Sequence, residues 1–250
     1  MGIGYYKKSK IIAIPFAGGN QYSFQKIQQY LSKGFEWVTL ELPGRGGRFT
    51  EPLLNNVPDM VADLYRQIKK HIVSGDYMLY GHSLGTLLGY ELMRRITEDG
   101  LKLPVCLFFT GRGAPSYNRF TSKKSVLAQV PFWEEVHKMG GMPKDFFSQQ
   151  DLMDLYYPIL RSDFKAVENY VYYEMNTPFS VPLYVIMGDE EIGEEAEKTP
   201  MREMKAWVNE TNSKCSFEII PGDHFFIFDN AKMTAQKIMH AYEACTLTMV

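Results

Sequence analysis

A serine stands between two glycines in Gly81-His82-Ser83-Leu84-Gly85, after the short apolar run Tyr77-Met78-Leu79-Tyr80 and before a helix-like stretch from Thr86 to Arg95. G-x-S-x-G between a strand and a helix is the nucleophile-elbow pattern, in which a sharp turn holds the serine in a strained backbone conformation. Gly81 and Gly85 lack the Cβ atoms that would collide with the neighbouring strand and helix. The Ser83 hydroxyl would then project from the carboxyl edge of a sheet, and the Leu84 N–H at the helix start would face any oxyanion that forms. The pentapeptide alone recurs by chance, and its flanks make it specific.

A serine hydroxyl needs a base to take its proton, and the base needs an acid to orient it. Where the nucleophile sits on an elbow, the chain order is serine, acid, histidine. Downstream of Ser83 the histidines are His137, His224 and His240. His224 lies in Pro221-Gly222-Asp223-His224-Phe225-Phe226, directly after the apolar run Phe217 to Ile220, where a loop could bring it over the elbow. His240 falls in a helix and His137 in a separate helical region, and His82 points away from the serine by the geometry of the turn. The run Leu183 to Met187 ends in Gly188-Asp189-Glu190-Glu191, and any of these three carboxylates could be the acid. A second oxyanion donor belongs in the loop after the first strand, where Pro15-Phe16-Ala17-Gly18-Gly19 would let backbone amides approach a substrate oxygen. Gly44-Arg45-Gly46 and Gly111-Arg112-Gly113 superficially resemble phosphate loops but lack the P-loop lysine and a full G-x-G-x-x-G, which excludes nucleotide binding. No set of His, Cys, Asp and Glu has metal-ligand spacing, so neither metal nor cofactor is expected.

These groups need a scaffold. Ile11 to Ile14, Trp37 to Leu42, the elbow strand, Val105 to Thr110, Leu183 to Met187 and Phe217 to Ile220 read as strands. Between them lie helical stretches: Tyr22 to Leu31 with Asn20 as its cap, Met60, Val61, Leu64 and Ile68 at helical spacing, the helix after the elbow stopped by Gly100, and Ala231 to Tyr242. Alternation of this kind gives an α/β fold, a mostly parallel sheet covered by helices on both faces, with its chemistry at the carboxyl ends of the strands. The alternation fails between 118 and 177. Helical patches there carry Val130, Phe132, Trp133, Val136, Leu152, Leu155, Tyr156, Ile159 and Leu160, with Met139, Met142, Phe146 and Tyr157 beside them. This segment reads as a helical lid inserted into a core formed by 1–117 and 178–250, though the same side chains could pack onto that core.

At 250 residues the chain can bury a full core in one domain. A formal net charge of −2 without a basic run argues against nucleic acid, and no stretch approaches the apolar length of a membrane span. Cys106, Cys215 and Cys245 form no CxxC pair, and 1–10 lacks the long apolar run of a signal peptide, so a cytoplasmic protein is expected.

Taken together these stretches resemble the type II thioesterases, stand-alone α/β-hydrolases that serve nonribosomal peptide and polyketide synthases. The resemblance spans nearly the whole chain. Besides the elbow, the loop at 15–19 and the histidine loop, it includes Leu42-Pro43-Gly44-Arg45-Gly46-Gly47-Arg48 with Glu51-Pro52, and Leu160-Arg161-Ser162-Asp163-Phe164 with Glu168 and Tyr170. Neither of the last two is a general hydrolase feature. What the resemblance implies is hydrolysis of acyl groups from the phosphopantetheine arm of acyl or peptidyl carrier proteins by a monomer that has no cofactor of its own. Ser83 would be the nucleophile, His224 the base, and the Ala17 and Leu84 amides the oxyanion hole. The family's usual acid is an aspartate three residues after the glycine that ends its strand; Glu191 stands there, a departure that keeps Asp189 as the fallback. A small-molecule carboxylesterase or lipase with the same triad, an acyl transferase and a non-catalytic hydrolase-fold binding protein are the competing readings.

Overall fold

A computed structural model of the chain describes residues 8–118, 123–142, 145–195 and 198–247; positions 1–7 of the N-terminal segment, and 119–122 and 143–144 of the expected lid, lie outside the described residues. The strands are β1 (Ser9–Ile14), β2 (Phe35–Thr39), β3 (Tyr77–His82), β4 (Leu107–Thr110), β5 (Leu183–Gly188) and β6 (Cys215–Ile220). The helices are α1 (Gln25–Gln28), α2 (Val57–Ile72), α3 (Leu84–Glu98), α4 (Gln129–Lys138), α5 (Gln150–Glu168), α6 (Met201–Lys205), α7 (Phe226–Asp229) and α8 (Ala231–Leu247).

All strand pairings are parallel, in the order β2-β1-β3-β4-β5-β6. Successive strand residues feed opposite cores, as a period of two requires. Ile12, Ile14, Leu79, Leu107, Phe109 and Val185 join the apolar faces of α2 and α3. Ile11, Ala13, Met78, Tyr80, Phe108 and Ile186 pack with Ile27 of α1 and Ile238 and Tyr242 of α8. Burial on both faces is why the strands read as continuous apolar runs. From β1 the chain steps outward to β2 and returns on the other side of β1 to β3. Strand order therefore reverses between β1 and β3, and the crevice at such a reversal is where open α/β sheets bind their ligands. The loop after β1 and the elbow after β3 both open there.

Several expected element bounds need correction, among them β4, which starts at Leu107 and not Val105, and β6, which starts at Cys215 and not Phe217. The helix foreseen over 22–31 shrinks to Gln25–Gln28, and Phe24, not Asn20, precedes it. Asn20 instead closes a turn, its Oδ1 accepting from the Tyr22 N–H at 2.9 Å and its own N–H donating to Ser23 Oγ at 2.8 Å. Within the expected span, Tyr22 and Tyr30 are 58% and 43% exposed and contribute no apolar face. β2 begins two residues earlier than expected and ends at Thr39, although Leu40 still donates to Ala13 O at 2.9 Å.

In the segment 118–177, α4, α5 and the turn between them build a third apolar cluster from Phe132, Trp133, Val136, Phe146, Leu160 and Phe164. Ala166 and Val167, near the end of α5, join the core under the sheet. This segment therefore carries a core of its own and is rooted in the main one. Val130 and Leu155, grouped by sequence with the apolar patches, are 70% and 40% exposed.

Candidate active site

Ser83 has φ 55° and ψ −115°, and is the one positive-φ residue other than glycine among the described residues. Such a conformation costs roughly 1–3 kcal/mol and persists only where its surroundings impose it. They do so here. The Ser83 N–H donates to Thr110 O at 2.9 Å, and the buried Thr86 hydroxyl lies 3.0 Å from Gly81 O and 2.9 Å from Thr110 O. A Cβ on Gly81 would come within 2.4 Å of Gly85 O, and one on Gly85 within 2.0 Å of Ile14 O. Both glycines are thus demanded by backbone meeting backbone. The second contact also presses the start of α3 against the end of β1, setting the loop at 15–19 beside the elbow.

His224 lies on the loop after β6, with Nε2 2.9 Å from Ser83 Oγ. Its Nδ1 is 2.5 Å from Glu191 Oε1. An ionised carboxylate only accepts, so Nδ1 carries the proton and the Nε2 lone pair faces the serine hydroxyl. Glu191 sits in a single tight turn, Asp189–Glu191, directly after β5. That turn folds its side chain back so that Oε2 accepts from the Gly188 N–H at 2.9 Å while Oε1 meets His224. The turn thereby takes up the extra methylene of glutamate. Asp189 points elsewhere: its Oδ1 accepts from the Gly222 N–H at 2.8 Å, bracing the histidine loop from outside. Glu190 is exposed.

Of the other histidines, His137 of α4 packs against Phe147 and His240 of α8 lines a separate pocket beside β5 and β6. His82 is fully buried, its ring centred 5.1 Å from that of His224. Its Nδ1 lies 2.9 Å from Thr110 Oγ1. Burial, and then the neighbouring His224, push its pKa well below the usual histidine value, so it stays neutral beside His224.

On the other side of the serine, Leu84 opens α3, where an N–H has no carbonyl of its own helix to bond. The loop after β1 turns through Phe16-Ala17-Gly18-Gly19, closed by Gly19 N–H to Phe16 O at 2.9 Å with Gly18 at φ +76°. A carboxylate from far along the chain holds this turn: the Gly18 N–H donates to Asp163 Oδ2 at 2.7 Å. Asp163, fully buried on α5, also accepts both ends of the Arg45 fork at 2.6 and 2.8 Å. Buried Glu41 holds the next stretch, accepting from Gln21 N–H at 2.8 Å and Gly47 N–H at 2.9 Å. In the sequence Arg45 stood out only in a rejected phosphate loop and as a family feature, Asp163 only as a family feature, and the roles of Glu41 and Thr110 were missed. A charged residue amid an apolar run, such as Glu41 in Leu40-Glu41-Leu42, was the available signal.

Among the described residues no group of His, Cys, Asp and Glu could hold a metal ion, and no helix is long and apolar enough to cross a membrane.

Residues 9–242 match the family model of the thioesterase domain. The chain belongs to the thioesterase family. This thioesterase is 30% identical to ClbQ from the colibactin nonribosomal peptide/polyketide pathway, whose crystal structure superposes with a TM-score of 0.89 over 96% of this chain and 99% of that one. YbtT, the type II thioesterase of the yersiniabactin pathway, is 26% identical, with a TM-score of 0.80 over 96% of this chain and 94% of its own. The gramicidin S biosynthesis protein GrsT of Aneurinibacillus migulanus is 29% identical over 223 residues, 89% of this thioesterase and 84% of that protein. The resemblance to type II thioesterases is thus borne out, as is the α/β-hydrolase fold. The chain is a thioester hydrolase.

Proposed function

We propose that this thioesterase hydrolyses acyl groups from the phosphopantetheine arm of acyl or peptidyl carrier proteins through an acyl-serine intermediate, with Ser83 as nucleophile, His224 as base and Glu191 as acid. The observation that carries the proposal is the unbroken line from Ser83 Oγ to His224 Nε2 at 2.9 Å and from His224 Nδ1 to Glu191 at 2.5 Å. As Oγ attacks the thioester carbon, His224 takes its proton. Glu191 stabilises the imidazolium, and neutral His82 adds no second positive charge beside it. The carbonyl oxygen becomes an oxyanion held by the Ala17 and Leu84 amides, each such donor typically contributing ~3 kcal/mol. The carbon–sulfur bond breaks, His224 returns the proton to the departing thiolate, and water enters. His224 then activates that water to release the acid from Ser83.

The relatives support a carrier-bound substrate, since ClbQ and YbtT come from pathways that build on carrier proteins. No cofactor is required, because the substrate brings the phosphopantetheine with it. One copy supplies the serine, the imidazole, the carboxylate and both amides, which suits a monomer. The three free cysteines suit the cytoplasm.

Two measurements test the reading. Folded Ser83→Ala should lose acyl-pantetheine hydrolysis by on the order of 10⁴-fold or more, and retained turnover would remove the serine. Rates on an acyl-carrier thioester should exceed those on the matching oxygen ester; the reverse would make the chain a carboxylesterase.

A further inference from the structure

The loop after β1 is asked to aim one backbone amide, yet two of its five residues are glycines and none of the five lies in β1. Glycines allow the turn but do not hold it. Three contacts do the holding. The N–H that Asp163 receives belongs to the peptide unit directly after the Ala17 amide, so fixing it restricts the torsions that orient Ala17. Glu41 fixes the loop further on, at Gln21. Leu160, nearly one turn before Asp163 on α5, covers Gly18 so closely that a Cβ there would lie 2.8 Å from its Cδ2.

A carboxylate so near a developing oxyanion would oppose it if its charge were bare. Here the charge is cancelled: Arg45 grips both oxygens of Asp163, with side chains 3% and 0% exposed. Stability alone does not call for such a pair. Buried ion pairs are often replaceable by apolar side chains of similar size without loss, because desolvation offsets their attraction. What apolar side chains cannot supply is an acceptor for Gly18.

We infer that Asp163, neutralised by Arg45, is a positioning residue that presents the Ala17 amide to the oxyanion, so that the oxyanion hole is assembled only when α5 is seated on the loop. The inference rests on the proposed role of Ala17. It assigns Asp163 a part in the chemical step without contact with substrate.

The test is the double variant Arg45→Met with Asp163→Leu, which removes the anchor but leaves no buried charge unpaired. Thermal unfolding, steady-state kinetics on an acyl-N-acetylcysteamine thioester and inhibition by a trifluoromethyl ketone analogue of the tetrahedral intermediate are measured beside the unaltered enzyme. The expected result is a melting temperature within a few degrees, KM within about threefold, and kcat and analogue affinity both reduced about 10²-fold. Unchanged kcat in the folded double variant would overturn the inference. If that variant does not fold, Asp163→Ala and Asp163→Asn replace it. Both break the ion pair, but asparagine keeps an oxygen for Gly18, so it should recover at least about tenfold of the kcat lost by alanine; equal kcat values would overturn the inference. Failure of the unaltered enzyme to turn over the thioester would instead count against the proposed function, so the two failures are distinguishable.

Discussion

The two flanks of Ser83 use carboxylates in opposite ways. On the base side, Asp189 and Glu191 share one tight turn, and Glu191 reaches an imidazole 33 residues further on. Glu191 and His224 keep 9% and 18% of their side-chain surface exposed, and among the described residues no arginine pairs with Glu191. On the oxyanion side, Asp163 and Glu41 are buried, and Asp163 reaches Gly18 across 145 residues of chain with an arginine fork on its oxygens. The difference follows from what each flank must do. In the proposed cycle the imidazole would gain and lose a proton twice, and its carboxylate partner would balance the transient cation. The amide donors of the proposed oxyanion hole would change nothing during that cycle, so their supports would serve best when static and neutral overall. On the proposed mechanism one flank would manage a changing charge, and the other would hold a fixed dipole.

The largest effect that would sharpen this contrast is expected at Glu191. Glu191→Gln should lower kcat about 10²–10⁴-fold, because the amide can present a donor where Nδ1–H needs an acceptor. Asp189→Asn keeps the oxygen that accepts from Gly222 and should cost less than about tenfold. The opposite ranking in steady-state kinetics would move the acid to Asp189. A smaller effect is expected from Gly18→Ala. It forces a side chain to φ +76° and against Leu160, costing about 1–2 kcal/mol. Melting temperature should drop by several degrees and kcat by about tenfold, and a normal kcat would mean that the loop tolerates reshaping.

The smallest effect is at His82. The unfolded chain takes up a proton near the ordinary histidine pKa of 6.5, whereas burial keeps the folded ring neutral well below that. The stability this contributes is present above pH 6.5 and is lost as pH falls below it. Thermal unfolding between pH 7 and pH 5 should therefore flatten in His82→Gln relative to the unaltered chain; identical slopes would show that the ring does not carry this linkage.

Much of the base side was legible in the sequence because it is local. An apolar strand, a glycine and a following acidic turn lie within one short stretch, and the serine motif and the histidine loop each follow their own strand. The choice between Asp189 and Glu191 was not legible from the residues, since all depends on which side chain folds back over the turn. The likeness to type II thioesterases marked Glu191 as standing in the acid's place, and the structure joins Glu191 to His224. On the oxyanion side the loop at 15–19 and Leu84 were legible, but the contacts that support that loop were not. The pairing of Gly18, Asp163 and Arg45 joins three distant segments, and nothing in their spacing announces it. The over-long helix at 22–31 failed for a related reason: the loop anchored at Gly18 and Gln21 must finish its turn before a helix can begin, a tertiary demand that helical propensity does not contain.

The proposed mechanism requires above all that Ser83 be a reactive serine activated by His224. Labelling the folded enzyme with a fluorophosphonate, followed by peptide mass mapping, tests this directly. The expected result is a single stoichiometric phosphonyl adduct on Ser83 that abolishes thioester hydrolysis and fails to form in His224→Ala. An adduct on another residue, or full activity after Ser83 is modified, would contradict it.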